Sequence, residues 1–260
     1  MLDPLSPFGH RIVGSPHIIP SFKYRLALYN GFHFFLMVST IIIVSLQIFA
    51  FSIQVLQTKS DPVLFIDTTL WSTSEHWFQL YRYLTYAFVH ASTAHLVSNV
   101  AMTLILAPTL EAVHGPLTTA TTWGVGVILG GILHNLYNQN IAVVGSSAGV
   151  FALLAARIYD VFLNLEDMAL WQLRLLTLIC LGLPTFVDWT SSFHKITSLS
   201  HSAHFGGALG GIFISSLPRP VGLTCTSTYN PASPIRKAIG GIGSTTLLLI
   251  TIPFSLYINT

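Results

Sequence analysis

Charge is what this chain has least of. Lys and Arg number 11 and Asp and Glu 9, so charged residues fill 8% of the 260 positions, against roughly a quarter in soluble domains. So little charge cannot keep a globular surface in water, and a net charge of +2 offers no basic face for nucleic acid. Cysteine is almost missing as well. Cys180 sits in an apolar run and Cys225 in a loop, so a disulfide framework is not expected. No Asn-x-Ser/Thr acceptor and no His-Glu-x-x-His metal motif occurs, and neither a metal nor a cofactor is expected. The opening residues 1–30 hold four prolines but no apolar run ending in a small-residue cleavage site. They read as a short cytosolic tail and not as a signal peptide.

What the chain has instead is apolar length: 52% hydrophobic residues and a mean hydropathy of +0.67. A bilayer core about 30 Å thick is crossed by roughly 20 residues of helix. Seven stretches qualify, near 31–56, 90–113, 117–137, 143–163, 168–188, 199–217 and 238–257, each boundary placed to about 2–4 residues. The expected architecture is all-α, a polytopic membrane helix bundle occupying 31–260 as one domain. Pro108 and Pro184 mark expected kinks, which neighbouring helices can accommodate.

Orientation follows from the cationic residues. With the N-terminus in the cytosol, Arg11, Lys23, Arg25, Arg157, Arg174, Arg219, Arg236 and Lys237 fall on the cytosolic side, leaving Lys59, Arg82 and Lys195 opposite. The C-terminus is then non-cytosolic. The second, fourth and sixth spans enter the bilayer from that same non-cytosolic side. His95, Ser147 and His204 each lie about one turn inside these spans, hence at similar depth. The loop of 57–89 holds Trp71, Trp77, Tyr81, Tyr83, Tyr86 and Phe88, a density of aromatics that suits the membrane interface.

A hydroxyl and an imidazole at one depth have a chemical reading. Serine is a weak nucleophile until a base takes its proton, and neutral imidazole suits that work near neutral pH. No acidic residue shares the depth of Ser147 and His204, so the pair reads as a dyad. Their helices must approach closely. Gly145, Gly149, Ala152 and Ala156 form one small-residue face of the fourth span, and Ala203, Gly207 and Gly211 one of the sixth. Attack on a carbonyl also needs donors for the oxyanion. His95 and Asn99, four residues apart on one helical face, can supply them. Ser146 is the rival nucleophile, but one residue turns the helix by about 100°, so only one of the two faces His204. His90 is expected to order the preceding loop or the rim on the substrate side, while His114 and His134 read as structural or interfacial. Glu111 is expected to pair with Arg157 or to cap loop amides. A transporter is disfavoured because the polar groups cluster at one depth and no inverted repeat is visible.

The segments H-A-S-T-A-H-L-V-S-N (90–99), V-V-G-S-S-A-G-V-F-A-L (143–153) and A-H-F-G-G-A-L-G-G (203–211), in this order, resemble those of the rhomboid intramembrane serine proteases. The similarity runs from about Tyr81 to the end and is greatest to animal secretase-type members, with six core spans plus a C-terminal seventh. It includes Tyr81-Arg82, where the family has Trp-Arg, and L-E-A-V-H-G at 110–115.

The resemblance implies Ser147 as nucleophile, His204 as general base, and His95 with Asn99 as oxyanion donors. It implies that Phe151 stands where a tyrosine packs on the catalytic histidine. Ala148 replaces the usual glycine after the nucleophile, which is expected to crowd the backbone at the oxyanion site. Substrates are implied to be single-span membrane proteins cut near the non-cytosolic end of their helix, with release of ectodomains, and the location to be the secretory pathway or plasma membrane. The alternative is a non-proteolytic rhomboid-like binder of membrane clients. The lipid bilayer is the only other partner expected, and the oligomeric state is not legible.

Overall fold

Inside a bilayer a backbone must satisfy its own hydrogen bonds, so apolar sequence of this length resolves into helix. The computed structural model describes residues 37–57, 70–137, 141–163, 170–191 and 200–217. The expected tail at 1–30 and the expected seventh span at 238–257 lie outside them. Six long helices appear among the described residues: α1 Val38–Gln57, α2 Thr93–His114, α3 Pro116–Tyr137, α4 Ser147–Leu163, α5 Trp171–Ser191 and α6 His201–Ser216. No strand forms among them; a single antiparallel bridge joins Ser72 to Val143. Three helices, α1 to α3, are long and apolar enough to cross a membrane. The described helices form a bundle with exposed apolar side chains such as Ile41, Phe49, Val97, Leu104, Ile105, Leu173 and Leu176 around its outside, as suits a lipid surrounding.

Helix limits follow local chemistry. Ser92 caps α2 by accepting from the His95 amide at 3.1 Å, and Ser200 caps α6 by accepting from Ala203 at 3.2 Å. Gly115, at φ +83°, ends α2, and Pro116 starts α3. Pro108 and Pro184 both lie inside continuous helices. The largest departure from the sequence expectation is α4. It was expected from 143, but residues up to Ser146 stay outside the helix, with Val143 in the bridge and Gly145 at φ +100°. A glycine at positive φ cannot continue a right-handed helix, and it puts Ser147 at the first helical position.

The contacts fix the helix directions. Glu111 near the end of α2 meets Ser39 and Thr40 at the start of α1, so those two run antiparallel. His114 at the end of α2 bonds Asp160 near the end of α4 at 2.6 Å, while His95 meets Gly145 at the other end, so α2 and α4 run parallel. α6 occupies the corner between α3 and α4 and touches both through glycine. A methyl on Gly207 would lie 2.0 Å from the Ala148 carbonyl oxygen, and one on Gly211 2.1 Å from that of Ala152. On the other side a methyl on Gly206 would lie 2.6 Å from the Leu129 oxygen, and one on Gly210 2.8 Å from Gly126 Cα. Backbones this close exclude any larger residue, and they substitute for a hydrophobic drive that lipid does not provide.

These contacts correct the expected face of α4. Its small residues facing α6 are Ala148 and Ala152, not Gly145 and Gly149. Gly149 instead accommodates the indole of Trp123 on α3, where a methyl would meet Nε1 at 2.4 Å. Gly145 precedes the helix altogether. The glycines were the obvious candidates by size, but the bulk of Trp123 claims one of them and turns the face by one residue.

Candidate active site

The first turns of α4 and α6 set the two key side chains. Ser147 Oγ lies 2.8 Å from His204 Nε2, a hydrogen bond in which the hydroxyl donates if the nitrogen is unprotonated. His204 is buried and its ring stacks on Phe151, centroids 4.4 Å apart and planes at 15°. Phe151 lies one turn beyond Ser147 on α4, so one helix carries both the hydroxyl and the plate that orients its partner. His204 Nδ1 has no hydrogen-bond partner among the described residues. None of the described residues places a carboxylate on it.

The third component comes from α2. The His95 ring approaches so near Gly145 that a methyl there would lie 2.5 Å from Cε1 and 2.7 Å from Nε2, with Asn99 Nδ2 at 3.5 Å. Glycine is needed at 145 twice over, for its φ and for this approach. Asn99 is buried, and its Nδ2 has no hydrogen-bond partner among the described residues. Two side-chain donors thus converge on the backbone that leads into Ser147. Such donors can stabilise negative charge developing on a carbonyl oxygen bound beside the hydroxyl.

Two expectations change at this point. The methyl of Ala148 does not crowd the oxyanion side: it is fully buried against Gly130 of α3, where an added methyl would meet it at 2.4 Å. Ser146, just before α4, points away from His204 and donates to Gln47 Oε1 of α1 at 2.8 Å. Of the two adjacent serines, only Ser147 is hydrogen-bonded to His204.

Other residues support the site from the loop side. Gln54 of α1 pairs with the His90 backbone, donating to its oxygen at 2.9 Å and accepting from its nitrogen at 3.3 Å. The buried His90 ring lies edge-on to both Phe51 and His95. Arg82 is buried and donates to the Trp71 oxygen at 3.0 Å, so it braces the loop. The hydroxyl of Tyr86 donates to the Val127 oxygen at 2.7 Å, and the Tyr86 oxygen accepts from Gly145 at 3.0 Å. Gln47 and Gln54 escaped the sequence reading. Their signal was present: two amides seven residues apart on one face of an apolar span are costly in lipid unless they have partners.

At the opposite end of the bundle, Glu111 neither pairs with Arg157 nor caps a loop. Its carboxylate accepts four hydrogen bonds, from the amides and hydroxyls of Ser39 and Thr40, at 2.7–3.0 Å. The first amides of α1, which have no partner within their own helix, are thereby satisfied by α2.

Comparison with known proteins gives a consistent family. A family model described as the Rhomboid domain matches residues 78–219. Over 141 residues, 52% of this chain and 39% of the relative, the sequence is 33% identical to Rhomboid-related protein 1 of Caenorhabditis elegans. Over 143 residues, 52% of the chain and 35% of the relative, it is 34% identical to Rhomboid-related protein 3 of Homo sapiens. It is also 26% identical over 143 residues to Inactive rhomboid-related protein 2 of Caenorhabditis elegans, covering 53% of the chain and 40% of that protein. The matched region is thus well under half the length of each of these relatives.

Proposed function

This chain belongs to the rhomboid family, and from that premise we propose that it is an intramembrane serine endopeptidase with Ser147 as nucleophile and His204 as general base. The observation that carries the reading is the 2.8 Å bond between Ser147 Oγ and His204 Nε2, formed between two helices at the same end of the bundle. Nε2 takes the Ser147 proton as Oγ attacks the substrate carbonyl. His95 and Asn99 donate to the oxyanion, and Phe151 holds the imidazole ring plane. Nε2 then delivers the proton to the leaving amine, which departs and leaves an acyl ester on Ser147. In the second half, His204 takes a proton from water as it attacks the ester, and returns it to Oγ when the acid product leaves.

Peptide hydrolysis needs an exposed backbone, and an intact helix hides its carbonyls in hydrogen bonds. The substrates we propose are single-span membrane proteins, cut near the non-cytosolic end of their helix at small or helix-weakening residues, so that ectodomains are released. The membrane domain would span 31–260 with seven helices and a cytosolic tail at 1–30, the N-terminus cytosolic and the C-terminus opposite, in the secretory pathway or plasma membrane. The test is co-expression with a panel of single-span proteins, comparing wild type with Ser147→Ala for released ectodomains, together with fluorophosphonate labelling of the purified protein. Release and labelling that both require Ser147 support the reading; absence of both from the wild type rejects it.

A second reading has one observation in its favour, the similarity to a relative named as inactive. A non-proteolytic binder would retain or remove membrane clients without cutting them. Ser147→Ala with an undiminished effect on a client's abundance would favour it.

A further inference from the structure

The last turn of α3 carries two adjacent buried side chains, His134 and Asn135, that the mechanism above does not use. His134 Nε2 lies 2.7 Å from the Ile141 carbonyl oxygen, and its Nδ1 is bonded to Ser200 Oγ. A carbonyl oxygen only accepts, so Nε2 carries the proton and donates. In a neutral ring Nδ1 is then the acceptor, and it takes the Ser200 hydroxyl proton. Ser200 Oγ still has a lone pair for the Ala203 amide at 3.2 Å, its capping bond, while the Ser200 carbonyl accepts from the His204 amide at 3.1 Å. One imidazole therefore joins the head of the extended segment leading into Ser147 to the cap of the helix that carries His204. Asn135 adds a second tie: its Nδ2 donates to Ser72 Oγ at 2.9 Å and the Thr73 oxygen at 3.2 Å, and Ser72 is bridged to Val143.

Glycine faces let α4 and α6 approach closely. A slip of about 1.5 Å, one residue's rise, would carry Ser147 and His204 out of hydrogen-bonding range. We infer that His134 is a positioning residue, which fixes the axial register of α4 against α6, and so the Ser147–His204 distance, by tying Ile141 to Ser200. The inference rests on the protease reading for its effect on rate. Its effect on structure does not depend on that reading.

The experiment uses the full chain in detergent as wild type, His134→Phe, His134→Gln, Ser200→Ala and the His134→Phe/Ser200→Ala pair. It reads cleavage of a membrane substrate, the rate of fluorophosphonate labelling, and amide hydrogen exchange in 141–147 and 200–204. Misplacement of reacting groups by about 1 Å can cost about 100-fold, so His134→Phe is expected to lower kcat and labelling by about 10–100-fold with KM unchanged. Gln again places one donor beside one acceptor, and should recover most of the rate. The paired variant should lose no more than His134→Phe alone, because both changes cut the same link. Exchange should rise in both segments in His134→Phe and in 200–204 alone in Ser200→Ala.

A folded His134→Phe with labelling within twofold of wild type, or multiplicative losses in the paired variant, overturns the inference. If His134→Phe does not fold, Ser200→Ala decides: a lowered kcat at constant KM supports the link, and an unchanged kcat overturns it. If the wild type neither labels nor cleaves, the protease reading is what has failed. Exchange then decides the register alone: a joint rise in both segments upholds it, and unchanged exchange rejects it.

Discussion

At the end of the bundle where α1 begins, Glu111 accepts four hydrogen bonds and His114 bonds Asp160 at 2.6 Å. At the opposite end Asn99 Nδ2, His204 Nδ1 and both ring nitrogens of His90 are buried with no hydrogen-bond partner among the described residues. A buried donor without a partner costs about 1–3 kcal/mol. The two ends therefore do different work. One uses polar groups to fasten α1, α2 and α4 together. The other holds polar groups buried without hydrogen-bond partners among the described residues, at a cost to stability.

The largest effect is expected of Ser147→Ala. It should abolish cleavage and labelling, a loss of at least about 10⁴-fold, while the thermal midpoint stays where it was. Persistent cleavage would mean that the polar end is not the reacting end. Next in size is Asn99→Ala, expected to lower kcat about 100-fold, or about 2.7 kcal/mol. Because it deletes an unpartnered buried donor, stability in a denaturant titration should be unchanged or slightly raised. Glu111→Ala should do the reverse: a stability loss of about 2–3 kcal/mol, since its donors lose their acceptor, and a kcat within about twofold of wild type per folded molecule. If Asn99→Ala unfolds the protein, or Glu111→Ala slows the folded enzyme, the division between the ends fails. The smallest effect is expected of Ala148→Gly, about 0.5–1 kcal/mol of helix stability, with cleavage rates little changed because the methyl faces Gly130.

Much of this was legible in the sequence for a physical reason: in lipid, polar residues are costly and therefore informative. The helical bundle follows from apolar length, and the pairing of Ser147 with His204 could be read from matched depth along parallel helices. What stayed hidden depended on rotation and on distant partners. The α4 face toward α6 could not be read from residue size, because Trp123 on α3 occupies Gly149 and leaves Ala148 and Ala152 as the contact row. The late start of α4 at Ser147 depends on the positive φ of Gly145 and on a bridge to Ser72, remote in sequence. His134 looked like any histidine at a helix end, since its partners Ile141 and Ser200 lie in segments whose meeting only the fold decides.

The glycines around α6 carry a lesson for engineering. Gly126, Gly130, Gly206, Gly207, Gly210 and Gly211 let three main chains touch where any side chain would collide. A designer wishing to transplant this serine and histidine into another scaffold could not copy the reactive residues alone. The six bare positions are the mould in which they are cast, and a host lacking them would seat both side chains too far apart to exchange a proton.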